Sequence, residues 1–352
     1  MQTAQKKLEG FEIPATSIDR SQERFFVTRR QIRRLTATGL MLVALCLSFL
    51  AAPVSAQDNT ASVDKAIVWL LDQQQPDGGF AGFSGESDPG ATIDAIFAMV
   101  AAQSIGVNAD TETAVNYLES GDLALVYAQT SAGSAAKLAL ALAATGNDPH
   151  DFTAVDPLSI VEVGAGLGMI GLGPYDHAFG ILALAATDTP VPQLAIDTAR
   201  DSQIEDGSWA FDGTLTAGAG DTNTTAMMVQ ALVAAGVSSE LVTDATDYLI
   251  SSQNDDGGFP YQPGAESDAN STALAIQALI AANEANHADE LQEAQTALAG
   301  MQNESGAFHY MASVPDDNAY ATAQAIPALA GVAFPLPVAT PVLATPEGTP
   351  AG

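Results

Sequence analysis

Basic residues are scarce. The 352-residue chain has 11 Lys and Arg against 42 Asp and Glu, a formal net charge of −31. That balance argues against a nucleic-acid partner, because neutralising phosphates takes Lys and Arg. Cysteine is nearly absent. Cys46 stands alone, which excludes an intrachain disulfide and a cysteine-based zinc cluster. Aromatic residues make up only 6% of the chain, with two tryptophans. Long apolar runs are missing too. The longest, from Gly39 to Ala52, is shorter than the ~20 residues a membrane-spanning helix needs. What the chain does have is 47% hydrophobic residues, enough for a large core.

Arg29, Arg30, Arg33 and Arg34 precede the apolar stretch, and Pro53-Val54-Ser55-Ala56 follows it. A basic start, a short apolar middle and small residues before Gln57 read as an export signal cleaved after Ala56, with a long N-terminal extension before it. The pattern does not separate the Sec route from the twin-arginine route. Without cleavage the segment would be a membrane anchor. Residues 1–56 hold eight of the 11 bases and four of the 42 acids. Residues 57–352 therefore keep only Lys65, Lys137 and Arg200 against 38 acids, a net charge of −35. Three bases leave little with which to clamp a phosphate or carboxylate. The acidity reads as a solubilising surface for an extracellular setting.

One element recurs four times: Gln, later a polar residue, Gly, a small residue and an aromatic six positions after the Gln. It runs from Gln74 to Phe80, Gln203 to Trp209, Gln253 to Phe259 and Gln302 to Phe308. Each copy follows a helical stretch, and its Gly supplies a helix stop and turn. An Ala-rich apolar segment begins about 20 residues after each Gln. Thr225-Ala226-Met227-Met228-Val229-Gln230-Ala231-Leu232 matches Thr272 to Leu279 closely, and segments starting at Thr92, Ala135, His177 and Thr322 fit the same template. Six units of outer helix, loop and inner helix follow. The inner helices are apolar nearly all round and must be buried on most sides. Two concentric rings satisfy this, so the sequence predicts an all-α, closed α/α toroid over 57–332. From residue 333 to 352, Thr340-Pro341, Thr345-Pro346 and Thr349-Pro350 read as a Pro/Thr-rich linker or stalk.

The Gln-to-aromatic element resembles the QW repeat of squalene cyclases and protein prenyltransferase β-subunits. It implies the terpenoid cyclase-like toroid. Fold does not carry activity here. Class II terpene cyclases protonate an alkene with an Asp-Xaa-Asp-Asp acid, and this chain has no such run. Prenyltransferases bind zinc with Asp, Cys and His. Tyr175-Asp176-His177 resembles their His position, but no cysteine remains after residue 56. Asp206-Gly207-Ser208-Trp209 followed by Thr224-Thr225-Ala226-Met227 is similar to the repeat of secreted cobalamin carriers.

In this toroid family the starts of the inner helices line the working mouth. Asp94, Tyr175, Asp176, His177, Asp221, Thr225, Tyr261, Asp268, Thr272, Tyr310 and Tyr320 are therefore the candidate ligand-binding residues, with Tyr127 and Asp317 beside them. Helix capping is the competing role for Asp221 and Asp268. Asp94 is conspicuous as the third residue of its template, where the other copies carry Lys, Phe, Met, Leu or Gln. Paired with His177, or Asp176 with His177, it could form an acid–base couple or bind a metal. The tyrosines could stack a sugar or another flat ligand. The sequence leaves the cofactor unknown. It reads as a monomeric, exported and non-catalytic toroid, secreted or at the cell surface, that binds an apolar small molecule, a glycan or a surface protein. The alternatives are a carboxylate-based polysaccharide hydrolase or lyase and, further off, a terpene cyclase.

Overall fold

The computed structural model describes residues 59–238, 240–283 and 287–338. Residues 1–56, expected to be an export signal with its extension, and residues 339–352 of the expected linker lie outside the described residues. Thirteen helices appear among them. The inner set is α2 (Pro89–Ser104), α5 (Ala132–Ala144), α7 (Pro174–Ala186), α9 (Thr222–Ala234), α11 (Ala269–Ala282) and α13 (Ala319–Leu329). The outer set is α1 (Thr60–Asp72), α3 (Glu112–Glu119), α6 (Pro157–Leu167), α8 (Gln193–Asp201), α10 (Glu240–Ser252) and α12 (Ala288–Gly300). A short α4 (Leu123–Ala128) sits in the second loop. Each inner helix packs on the next, and α13 packs back on α2, so the inner ring closes. The expected six-unit α/α toroid is the observed fold.

The inner helices begin one turn ahead of the repeated template, for a local reason. Each template start is preceded four residues earlier by a capping position. Asp88, Ser131, Asp221, Asp268 and Asn318 each accept a hydrogen bond from the backbone N–H three residues on, at 2.8–2.9 Å. Such a side chain satisfies one of the helix's orphan donors. Gly173 takes this place before α7 and contributes no side-chain bond.

The Gln element is a fastener between neighbouring units. Gln203 Nε2 donates to the carbonyls of Gly207 and Leu241, at 2.9 and 3.0 Å. Gln253 does the same to Gly257 and Glu290, and Gln302 to Gly306 and Ser62. In each pair the second carbonyl belongs to the first turn of the next outer helix. The last fastener therefore ties the end of α12 to the start of α1. The glycine of each element has positive φ and lies against that next helix. A Cβ on Gly306 would stand 2.6 Å from the Lys65 carbonyl oxygen. The aromatic that follows is buried, and its N–H donates to the first hydroxyl of the template. Phe80 is held by Thr92, Trp209 by Thr225, Phe259 by Thr272 and Phe308 by Thr322, at 2.8–3.0 Å. Two short hairpins complete these turns: β1 (Phe80–Ala81) with β2 (Ser87–Asp88), and β3 (Phe308–Met311) with β4 (Val314–Asn318).

Past α13 the chain does not leave the toroid at residue 332. Phe334 and Leu336 are buried. The Phe334 N–H donates to Gln230 Oε1 at 2.9 Å, and Gln277 donates to the Val332 carbonyl at 3.2 Å. This segment crosses the end of the ring away from the inner-helix N-termini.

Candidate functional site

A cup lies on the ring axis, with a cavity of about 150 Å³. Its wall is built by a single helical position. Asp94, Lys137, Phe179, Met227, Leu274 and Gln324 are each the sixth residue of their inner helix, and all six line the cup. Their order round the ring divides them. Gln324, Asp94 and Lys137 are contiguous and form a polar arc. Phe179, Met227 and Leu274 form an apolar arc opposite. One turn deeper stand Phe97, Gln277 and Pro327, and Phe334 closes the floor. The Phe97 and Phe334 rings meet edge to face, with centroids 4.9 Å apart.

Asp94 Oδ1 and Lys137 Nζ are 2.7 Å apart, with side chains 14% and 18% exposed. Burial pushes the Asp94 carboxyl up, against the pull of the ammonium. Burial is the largest single influence on the Lys137 ammonium and would lower it, but the charge and hydrogen bond of Asp94 together with Tyr127 and Tyr320 outweigh it, and the net direction is up. Lys137 also reaches the Gly90 carbonyl at 3.4 Å. One of only three bases after residue 56 is thus spent inside the cup.

The mouth carries Tyr127, Tyr175, Asp176 and Tyr320. Burial raises all three phenols, Tyr175 well above its ordinary value and Tyr320 to about 12. Gln324 Nε2 donates to Tyr320 Oη at 2.7 Å, and Asn270 in turn donates to Gln324 Oε1 at 2.8 Å. Tyr175 meets Phe179 edge-on at 5.4 Å and lies 5.9 Å from Phe211. The Asp176 carboxylate accepts from the Leu172 N–H at 3.0 Å. It fits only because positions 133 and 171 are glycines, where a Cβ would overlap it.

The structure therefore brings Asp94, Tyr127, Tyr175, Asp176 and Tyr320 of the expected residues to one cavity. It places the others elsewhere. His177 is fully buried, outside the cup. Its Nδ1 accepts from the Ile170 N–H at 3.1 Å, so Nε2 carries the proton and donates to the Ala195 carbonyl at 2.9 Å. Both ring nitrogens are committed, and burial lowers its pKa. An acid–base couple or metal pair through His177 has no free nitrogen to use. Among the described residues there is also no cluster of three metal-ligating side chains. Thr225 and Thr272 are buried and hold the backbones of Trp209 and Phe259. Asp221 and Asp268 are buried helix caps. Burial raises both, opposed by bonds from Thr224 and Ser271. Tyr261 and Tyr310 lie in the loops before α11 and α13 and do not line the cup. Asp317, in β4, is turned to Asn303 and Ser305.

Lys137, Phe179, Met227, Leu274, Gln277, Gln324 and Phe334 were not among the expected residues. The signal for six of them was present. Lys137 and Gln324 interrupt apolar helices at the template position that made Asp94 stand out, and Phe179, Met227 and Leu274 hold the same position. Gln277 follows one turn later. For Phe334 the sequence held no such register.

No curated protein sequence matches the chain. Among solved structures it is similar to a protein from Actinoplanes, at 16% identity and a TM-score of 0.57, over 78% of this chain and 99% of that one. A type II terpene cyclase, MstE from Scytonema, in complex with its substrate geranylgeranyl dihydroxybenzoate, gives 14% identity and a TM-score of 0.52, over 78% and 97%. Haptocorrin in complex with Cbi gives 15% and 0.52, over 81% and 70%. At these identities the likeness is one of fold. The family model of the prenyltransferase alpha-alpha toroid domain matches residues 19–130 and 179–322. These two stretches cover well over half of the chain, and with the closed ring of helix pairs they show that it belongs to the prenyltransferase alpha-alpha toroid domain family.

Proposed function

We propose that the protein is an exported, non-catalytic toroid that binds the ring-sized end of an amphipathic small molecule in its central cup. The observation that carries this reading is the division of the sixth-position wall into a polar arc and an apolar arc. An apolar body would lie on Phe179, Met227 and Leu274, and its polar groups would face Lys137, Asp94 and Gln324. Size sets the guest. A cavity of about 150 Å³ accepts benzene in other proteins, so a larger molecule would enter by one end and leave the rest in the mouth. Asp94 and Lys137 neutralise one another, so a neutral guest with hydroxyl or carbonyl groups suits the cup better than an ion. Two similar structures, haptocorrin with Cbi and the cyclase with its substrate, hold small molecules. A non-catalytic role is supported by the lack of an Asp-Xaa-Asp-Asp run and of any cysteine after residue 56. Export rests on the basic cluster, the apolar stretch and the small residues before Gln57.

The test is a titration of the protein, labelled at its methionine methyls, with benzyl alcohol and with cyclohexanol. Met227 is expected to shift with saturation, and Leu274→Trp, which fills the cup, to abolish the shift. A Met227 signal indifferent to both probes would sink the reading.

A further inference from the structure

The cup opens onto a face that combines exposed carboxylates with exposed apolar side chains. Six loops lead from outer to inner helices, over residues 73–88, 120–131, 168–173, 202–221, 253–268 and 301–318. Not one of them contains a Lys or Arg. Five carry exposed carboxylates, among them Glu86, Asp212, Glu266 and Asp316. Each of the six also presents a large apolar or aromatic side chain to solvent. These are Phe83, Val126 and Leu172 in the first three loops, and Phe211 with Leu215, Tyr261 and Val314 in the last three. Tyrosine is concentrated here as well. Five of the chain's seven, Tyr127, Tyr175, Tyr261, Tyr310 and Tyr320, stand in or around the mouth.

The last three loops are bound to one another. Thr222 donates through its N–H to the Tyr261 carbonyl at 2.9 Å and through its hydroxyl to the Pro260 carbonyl at 2.7 Å. Ser313 donates through its N–H and its hydroxyl to the Glu266 carboxylate, at 2.8 and 2.7 Å. Asp268 and Met311 form a bridge between the same two loops. Phe211, Leu215, Tyr261 and Val314 are therefore exposed on a platform that is already ordered. A preordered surface loses little entropy on binding, and Tyr-rich apolar patches with charged rims are the composition of protein interfaces.

We infer that this acidic, apolar-studded mouth face is a docking surface for a cationic polypeptide, one with Lys or Arg beside apolar anchor side chains. Charge complementarity chooses the occupant. Carboxylates without a neighbouring base attract basic residues and repel anionic surfaces. A bilayer with anionic lipids is disfavoured for the same reason. The inference stands apart from the ligand in the cup, because it uses the rim and not the wall.

The full chain would be titrated, at about 150 mM salt, with a fluorescent peptide alternating Arg and Leu. Polyarginine of equal charge and vesicles of neutral phosphatidylcholine would be run in parallel. The Arg–Leu peptide is expected to bind more tightly than polyarginine. The combined substitution Phe211→Ser, Leu215→Ser and Val314→Ser should weaken it about tenfold and leave polyarginine unchanged. Leu215→Ser and Val314→Ser alone, at exposed sites that leave the fold intact, should each show part of that loss. Equal binding of the two peptides, or an unchanged affinity in the triple variant with native helix content, overturns the inference in favour of diffuse attraction to an acidic surface. Vesicle binding without peptide binding overturns it in favour of a membrane surface. The methionine-methyl titration at Met227 reads the cup and the peptide titration reads the rim, so failure of the cup reading and failure of this one are told apart.

Discussion

Asp94 and Lys137 show how one pair of side chains can be a liability to stability and an asset to recognition. Two charges have been taken from water into a half-closed cup, where their mutual attraction must offset their desolvation. Removing one partner leaves the other uncompensated. Asp94→Asn should therefore destabilise the fold by about 3 kcal/mol, whereas Asp94→Leu combined with Lys137→Met should recover most of that loss. Chemical denaturation of the three variants checks it. The pH dependence has a definite sign. Lys137 is raised above its ordinary 10.5 in the fold. Its stabilisation is complete below that pH and is lost as pH rises above it. The melting temperature should fall at alkaline pH beyond 10.5, less steeply in the double variant. The sequence showed Asp94 as an anomaly because a carboxylate broke an apolar register. Lys137 broke the same register and was equally legible. His177 also broke a pattern, but its substitution serves backbone bonding to Ile170 and Ala195. Both partners are main-chain groups and leave no mark in the sequence.

At the scale of the element, the repeated Gln turn explains why four copies, the last of them worn, suffice to specify a ring. The amide of each of the last three spans two units, and the following glycine lets the turn lie on the next outer helix. Periodicity alone revealed six helix pairs and their burial, because apolar faces recur where packing demands them. It could not reveal that the template threonines hold the aromatic backbones, since a threonine at a helix start reads equally well as a ligand contact. The ring's closure rests on Gln302 and Gly306. Gly306→Ala would place a Cβ against the Lys65 carbonyl at positive φ, and should cost about 2 kcal/mol or more. Limited proteolysis should then release α1 first. A variant with α1 still protected would show that the ring's apolar contacts close it without the turn.

Over the whole molecule the dominant fact is charge. The ring lies within residues 57–352, whose 38 acids and three bases give a net charge of −35, so it repels itself with few bases available to offset it. Screening should relieve that repulsion. The Debye length shrinks from about 30 Å at 0.01 M salt to about 3 Å at 1 M. The melting temperature is expected to climb across that range, with potassium chloride as the added salt. A flat or falling curve would mean that the acids are spaced too widely to matter to stability. Fold class was readable at this scale because a hydrophobic pattern of fixed period admits few packings. The end of the domain was not, because Phe334 acts through one contact with Phe97 and one with Gln230, outside any repeat.

That late residue sets an order in time. The wall of the cup is contributed by side chains spread from Asp94 to Gln324, while its base is supplied only when Phe334 arrives. A chain emerging from its N-terminus has every stave of the vessel before it has a bottom. Until then Phe97 lacks the ring that meets it edge to face, and the Gln230 amide oxygen lacks the backbone N–H it accepts from. A chain cut short before Phe334 would therefore close its ring of helices and still leave the bottom of the cup unfinished.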